Sequence, residues 1–217
     1  MTPEPVATYS PPFLCRLLNL RILTPSSKIA KDICSHNRST PLKDTIIDLF
    51  AGAGGNTIAF ALSEKWAHVI GIEKDADTLA CAQHNAAVYG VADAITWVHG
   101  DCLDFLSRLK SQGKGKKKRL DPSLQVDTSK TVLFASPPWG GVSYRDQDVF
   151  DLSTMEPYNL ETLYEACRPM EHVLFLPRTS DLQQIAELVP EEAEKIEVVQ
   201  YCMDGASKAL VAYMPPQ

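Results

Sequence analysis

The chain has 217 residues, of which 45% are hydrophobic, enough for one sizeable core and little more. Its formal charge of -6 excludes nucleic-acid binding through the overall field, so any such contact must be local. No apolar run approaches the ~18 residues of a membrane span, and the first thirty residues lack the apolar core of a signal peptide.

Residues 1–23 read as a short irregular segment, broken by Pro3, Pro5, Pro11 and Pro12, with an apolar stretch from Phe13 to Leu23. Residues 24–217 read as one domain. Thr24 as N-cap and Pro25 at the first helical position start a helix. Strands and helices then alternate. Thr45–Leu49 is a strand, Asn56–Glu64 a helix and His68–Ile72 a second strand. Asp75 or Asp77 starts a helix that Gly90 stops. Ile95–Val98 is a strand and Cys102–Lys110 a helix. Thr131–Ala135 is a fully buried strand. A helix over Leu160–Ala166, a strand over Val173–Leu176 and a helix over Asp181–Leu188 follow. Strands Val198–Tyr201 and Ala209–Tyr213 close the chain as a hairpin at the sheet edge. This alternation predicts an α/β fold, a mostly parallel sheet covered on both faces.

Chemistry gathers where strands end. After the first strand comes Asp48-Leu49-Phe50-Ala51-Gly52-Ala53-Gly54-Gly55. Glycines there let backbone approach a ligand and feed a helix N-terminus. The spacing is not the dinucleotide pattern G-x-G-x-x-G, and Asp48 would repel a pyrophosphate. A carboxylate suits a cationic amine, such as that of S-adenosyl-L-methionine (SAM), which carries no phosphate. A purely structural or nucleotide-binding turn is the alternative. Glu73 ends the second strand and reads either as an acceptor for a ribose diol or as a solvated acid. Asp75 reads as a helix-start residue. Asp101 follows the third strand and reads as a partner for an adenine amine or as a helix N-cap. Three acids at three consecutive strand ends, with the glycine turn, form a SAM-site pattern.

The fourth strand runs into Ser136-Pro137-Pro138-Trp139-Gly140-Gly141. Proline lacks an N–H to pair, so the chain must leave the sheet there. The Ser136 hydroxyl and the Pro137 carbonyl are candidate acceptors for an exocyclic amine. The Trp139 indole can stack on a base, with cation–π attraction of about 2 kcal/mol if that base is cationic and desolvated. A structural turn with a core tryptophan is the alternative.

These residues carry a resemblance. Asp48 through Ile58 with Phe60-Ala61, then Asn85-Ala86, Val88-Tyr89-Gly90 and the Ser136–Gly141 motif, resemble the trimethylguanosine synthase family of RNA cap guanosine-N2 methyltransferases. Thr24-Pro25, Phe150-Asp151-Leu152 with Thr154-Met155, and Phe175-Leu176-Pro177-Arg178 extend the match. The resemblance implies a class I SAM-dependent methyltransferase fold, Rossmann-like, with a mostly parallel seven-stranded sheet. It implies SAM held by Thr24, Asp48, Ala51, Gly52, Gly54, Asn56, Glu73, Asp101 and Ser136. It implies methyl transfer to N2 of the 7-methylguanosine cap of small RNAs of the snRNA or snoRNA type, giving di- or trimethylguanosine. Ser136, Pro137 and Trp139 would be the catalytic residues, with Trp139 and Arg178 holding the cap. Transfer to adenine N6 or internal guanine N2, or a non-catalytic cap-binding module, are the other readings. Capped RNA is the expected partner and the nucleus the expected location, with no membrane.

Six scattered cysteines without a C-x-x-C pair read as reduced thiols, and no metal is expected. The basic run Lys110, Lys114, Lys116, Lys117, Lys118 and Arg119, in a loop over 110–130, lies at the strand N-terminal edge by topology. It reads as a solvated mobile loop, with nuclear import or weak RNA contact as secondary readings.

Overall fold

The structure is a computed structural model and describes residues 25–35, 43–111, 120–121, 124–140, 148–190, 194, 196–203 and 206–217. The readings for residues 1–23, Thr24, Gly141 and the run 112–119 lie outside these. Seven strands form a sheet in the order β3-β2-β1-β4-β5-β7-β6. The chain divides into two compact units, Met1–Val132 and Leu133–Gln217.

In the first unit, helix α1 (Pro25–Ser35) opens at Pro25 as expected. Ile29, Ala30 and Ile33 fall on one face and are buried, while Lys28 and Lys31 are exposed. That face packs on helix α2 (Gly55–Leu62). Strand β1 (Thr45–Asp48) is buried at every position and pairs in parallel with β2 (His68–Glu73), from Thr45 opposite His68 to Asp48 opposite Gly71. Burial on both faces leaves β1 without an alternating pattern, and even its polar ends, Thr45 and Asp48, are buried. Strand β3 (Ile95–His99) extends the parallel set, with Glu73 opposite His99.

Helix α3 (Ala76–Val88) starts where its cap is satisfied: Asp75 Oδ1 accepts the Thr78 N–H at 2.8 Å. It ends at Gly90, whose φ of 74° lies in the left-handed region. Helix α4 (Cys102–Lys110) is capped by Asp101, whose Oδ1 accepts from the Leu103 and Asp104 N–H groups at 2.9 and 3.3 Å. Phe105, Leu106 and Leu109 form its buried face.

Strand β4 (Thr131–Ala135) is wholly buried. In the second unit, helix α5 (Leu160–Cys167) buries Leu160, Leu163, Tyr164 and Cys167 and is capped by Asn159. Strand β5 (Glu171–Pro177) pairs antiparallel with β7 (Ala206–Met214), which pairs antiparallel with the edge strand β6 (Glu197–Met203). The expected hairpin is therefore present. Its register slips between Tyr201 and Cys202. Each strand here is longer than the apolar run in the sequence. Ladder pairing recruits the flanking residues, as with His172 opposite Met214 and Pro177 opposite Ala209. Helix α6 (Leu182–Ala186) is shorter than expected, because Asp181 is its cap and residues 187–188 turn out of it.

Candidate functional site

In the first unit the loops after β1, β2 and β3 are laced together at Glu73. Its Oε2 accepts the Gly52 N–H at 2.9 Å and its Oε1 accepts the Asp75 N–H at 2.8 Å. Its main-chain carbonyl accepts the Gly100 N–H at 2.9 Å. A carboxylate offers about four lone-pair sites, so two backbone donors leave capacity for a diol. The neighbouring Ile72 carbonyl takes the Ala51 N–H at 2.9 Å. The glycine turn is thereby tied to the end of β2 by successive residues.

Two positive φ angles shape that turn, 53° at Gly52 and 89° at Gly54. Gly54 is the N-cap of α2, and a Cβ there would lie 3.2 Å from the Ile58 side chain and 3.3 Å from Ala82. A Cβ on Gly52 would meet nothing within 4 Å. Gly54 thus serves packing, while Gly52 borders open space. Asn85 on α3 donates its Nδ2–H to the Ala53 carbonyl at 2.9 Å, a hold on the turn that the sequence did not announce.

Asp48, read from the sequence as a partner for a cationic amine, is 0% exposed. Its Oδ2 accepts the Thr57 hydroxyl at 2.7 Å and its Oδ1 the Phe50 N–H at 3.3 Å. Burial, partly offset by the Thr57 bond, pushes its carboxyl up to about 6. Asp101 is foremost a cap for α4, and its Oδ2 lies 3.6 Å from Lys74 Nζ. Burial, reinforced by Asp101, pushes the Cys102 thiol up to about 12, which rules it out as a nucleophile near neutral pH. Asn56 lies in the first turn of α2 and is half-buried, and Ala51 is buried.

The donor set fits SAM better than a nucleotide phosphate. Acids stand at the ends of β1, β2 and β3, and the turn's Gly52 N–H is already bound to the Glu73 carboxylate. Pyrophosphate needs such amides for itself.

In the second unit the chain leaves β4 through Ser136, half-buried, Pro137, buried, and Pro138, exposed. Trp139 then takes φ 55°, left-handed for a bulky residue, followed by Gly140 at 81°. Such a conformation costs on the order of 1–2 kcal/mol and persists where surrounding contacts enforce it. Two contacts do so. The Trp139 Nε1–H donates to the Phe175 carbonyl at 3.2 Å, and its ring stacks on the Phe175 ring at 5.5 Å and 28°. The sequence placed Phe175 in an apolar strand and in a stretch of the family resemblance, but its position behind Trp139, 36 residues away, emerges only from the fold. Arg178 is exposed in the turn after β5. That turn is closed by the Ser180 hydroxyl and N–H, both donated to the Pro177 carbonyl, at 2.8 and 3.1 Å. Among the described residues no group of acids, histidines and cysteines is placed to hold a metal ion.

Parallel β/α units, an antiparallel hairpin at one end of the sheet, a glycine turn after β1 and an acid ending β2 define a class I SAM-dependent methyltransferase fold. The SAM dependent methyltransferase of Agrobacterium tumefaciens shares it, with a TM-score of 0.54, 16% identity, and 88% of this chain and 61% of that chain covered. The family is narrower. The model of the RNA cap guanine-N2 methyltransferases matches residues 43–217, and the chain belongs to that family. SAM is accordingly its cofactor class. The trimethylguanosine synthase of Schizosaccharomyces pombe (strain 972 / ATCC 24843) is 34% identical over 173 residues, covering 78% of this chain and 65% of that protein. That of Saccharomyces cerevisiae (strain ATCC 204508 / S288c) is 33% identical over 149 residues, covering 67% and 42%. The chain thus spans less than two thirds of either relative's length.

Proposed function

We propose that this chain transfers methyl groups from SAM to the exocyclic N2 of a 7-methylguanosine RNA cap, giving di- or trimethylguanosine on small RNAs of the snRNA or snoRNA type. The observation that carries the reading is the Ser136–Gly140 turn, with Trp139 fixed on Phe175, in a chain the cap guanine-N2 family matches over residues 43–217. When bound, SAM supplies an electrophilic methyl on a sulfonium and leaves as the neutral thioether.

The glycine turn of the first unit takes the methyl donor, with Glu73 accepting from the ribose diol and Asp101 from the adenine amine. Gly52 gives the backbone its approach, and Gly54 lets the turn pack beneath it. The Trp139 turn of the second unit takes the base. A guanine amine is a poor nucleophile because its lone pair is delocalised into the ring. The Ser136 hydroxyl and Pro137 carbonyl accept its N–H groups, turning the lone pair out of the ring plane. Nitrogen forms the new C–N bond as the C–S bond breaks, and the amine then loses a proton to solvent. No strong base precedes transfer, so rate enhancement rests on orientation and electrostatics. The Trp139 indole stacks on the purine, whose positive charge after N7 methylation suits an aromatic face. Arg178 reaches the cap phosphates with its planar fork of donors. The basic run ending at Arg119 supports nuclear residence.

The test is transfer of radiolabelled methyl by the purified chain to 7-methylguanosine triphosphate, with product mapped to N2. Transfer to adenosine acceptors instead, or to unmethylated guanosine equally well, overturns the reading.

A further inference from the structure

The buried carboxylate of Asp48 stands apart from the other acids of the first unit. Asp75 and Asp101 cap helices near solvent, and Glu73 is half-buried at a loop junction. Asp48 has no exposed surface at all, and a carboxylate is costly there unless paired. Its donors belong to the stretch that follows it: the Phe50 N–H inside the turn, and both the hydroxyl and the backbone N–H of Thr57 on α2.

Thr57 is itself 0% exposed and held from the other side. A Cβ built on Gly71 would lie 3.0 Å from the Thr57 Cγ2 and 2.7 Å from the Trp97 ring. The Thr57 methyl and the Trp97 ring therefore both rest over the bare Cα of Gly71. Gly71 is the parallel partner of Asp48 in β1 and of Trp97 in β3. With its methyl seated on β2, the Thr57 hydroxyl can point only along a narrow range of directions, and it points at Asp48. The start of α2 and the turn before it are thus pinned to the sheet at a depth that solvent does not reach.

We infer that Asp48 is a positioning residue: through Thr57 and the Phe50 N–H it holds the Ala51–Gly54 turn in its ligand-binding shape and makes no contact with the amino-acid end of SAM. This rests on the SAM-binding reading above. A ligand held by a shaped turn loses affinity when the shape relaxes, whichever of its groups the turn touches. A ligand held by a charge on its ammonium loses affinity only if it carries that ammonium. The two roles therefore separate with 5′-methylthioadenosine, which keeps the adenosine and the methyl-bearing sulfur of SAM, the sulfur now an uncharged thioether, and lacks the amino-acid moiety.

The experiment is calorimetric titration of the whole chain, unaltered and as D48N, T57V and T57S, with SAM and with 5′-methylthioadenosine, each variant's fold being checked by thermal melting. The expected result is that D48N and T57V weaken both ligands by a similar factor, on the order of tenfold. T57S, which keeps the hydroxyl, should stay within a few-fold of the unaltered chain. A loss by D48N confined to SAM, or retention of both ligands by T57V, overturns the inference. If D48N does not fold, the T57V and T57S pair decides it alone, since neither alters a charge. Failure of the unaltered chain to bind either ligand overturns the SAM reading itself, and the inference with it, and is a different pattern from the others.

Discussion

The Gly52 N–H and the Glu73 carboxylate, 21 residues apart, meet at 2.9 Å and close the glycine turn onto the end of β2. Glu73 reaches both Gly52 and Asp75 because its side chain is long enough to set one oxygen on each. An aspartate there is one methylene shorter. Glu73→Asp is expected to keep the Asp75 contact and lose that to Gly52. Glu73→Ala loses both, at about 1.5–3 kcal/mol per charge-assisted bond before relief by water. SAM affinity should fall in the order Glu73, Asp, Ala, with Ala at least tenfold weaker by calorimetry. Equal affinity across the three contradicts a role for this carboxylate.

Asp48 gives the stability a distinctive pH dependence. Its carboxyl sits at about 6 in the folded chain against 3.8 for the ordinary group, and the cause is chiefly burial. Folding therefore takes up a proton between those values. The group's contribution to stability is fullest below about pH 4, declines as pH rises towards 6, and is level above. The span corresponds to about 3 kcal/mol. Repulsion from the Glu73 carboxylate acts in the same direction. In urea titrations, the unfolding free energy of Asp48→Asn minus that of the parent should grow in the variant's favour from pH 4 to 7. A difference that does not change with pH contradicts this.

Gly71 and Gly100 make a matched pair for substitution by alanine. Both lack a positive φ, yet a Cβ on Gly71 would overlap the Trp97 ring at 2.7 and 2.8 Å, while one on Gly100 meets nothing within 4 Å. Gly71→Ala should destabilise by about 1–3 kcal/mol and shift near-ultraviolet dichroism as Trp97 is displaced. Gly100→Ala should lie within about 0.5 kcal/mol of the parent in the same denaturant series.

For the base site, Trp139→Ala should abolish most discrimination between 7-methylguanosine and guanosine triphosphates. About 2 kcal/mol of cation–π attraction corresponds to roughly thirtyfold. Phe175→Leu leaves the indole present but without its backing ring, while the Phe175 main-chain carbonyl remains. It should lose part of that discrimination while SAM affinity is kept. Titration with the two nucleotides checks both, and discrimination unchanged in Trp139→Ala removes the indole from the cap site.

Elements with local instructions were legible from the residues alone. Cys102–Lys110 and Thr131–Ala135 fall where the sequence puts them, because a capping aspartate starts one and an apolar run followed by proline ends the other. The family was legible too, in the Asp48 and Ser136 motifs. The sequence could not show that Asp48 faces inward. A polar residue at the end of a strand reads as ligand-facing, and burial there depends on Thr57 and on the space above Gly71. The same holds for Asn85 on Ala53 and Phe175 behind Trp139. These pairs lie 32 and 36 positions apart and are set by how helices and strands stack, on which local propensity is silent.

The register slip at Tyr201 and Cys202 lies on β6, an outermost strand of the sheet. An outermost strand offers a row of unpaired amides to any passing chain, and a flat one is a template for self-association. A break in register bends that row, which disfavours a second molecule's strand adding in register along the full length of β6. The slip thus works against edge-to-edge association at a strand that carries none of the groups proposed to do chemistry.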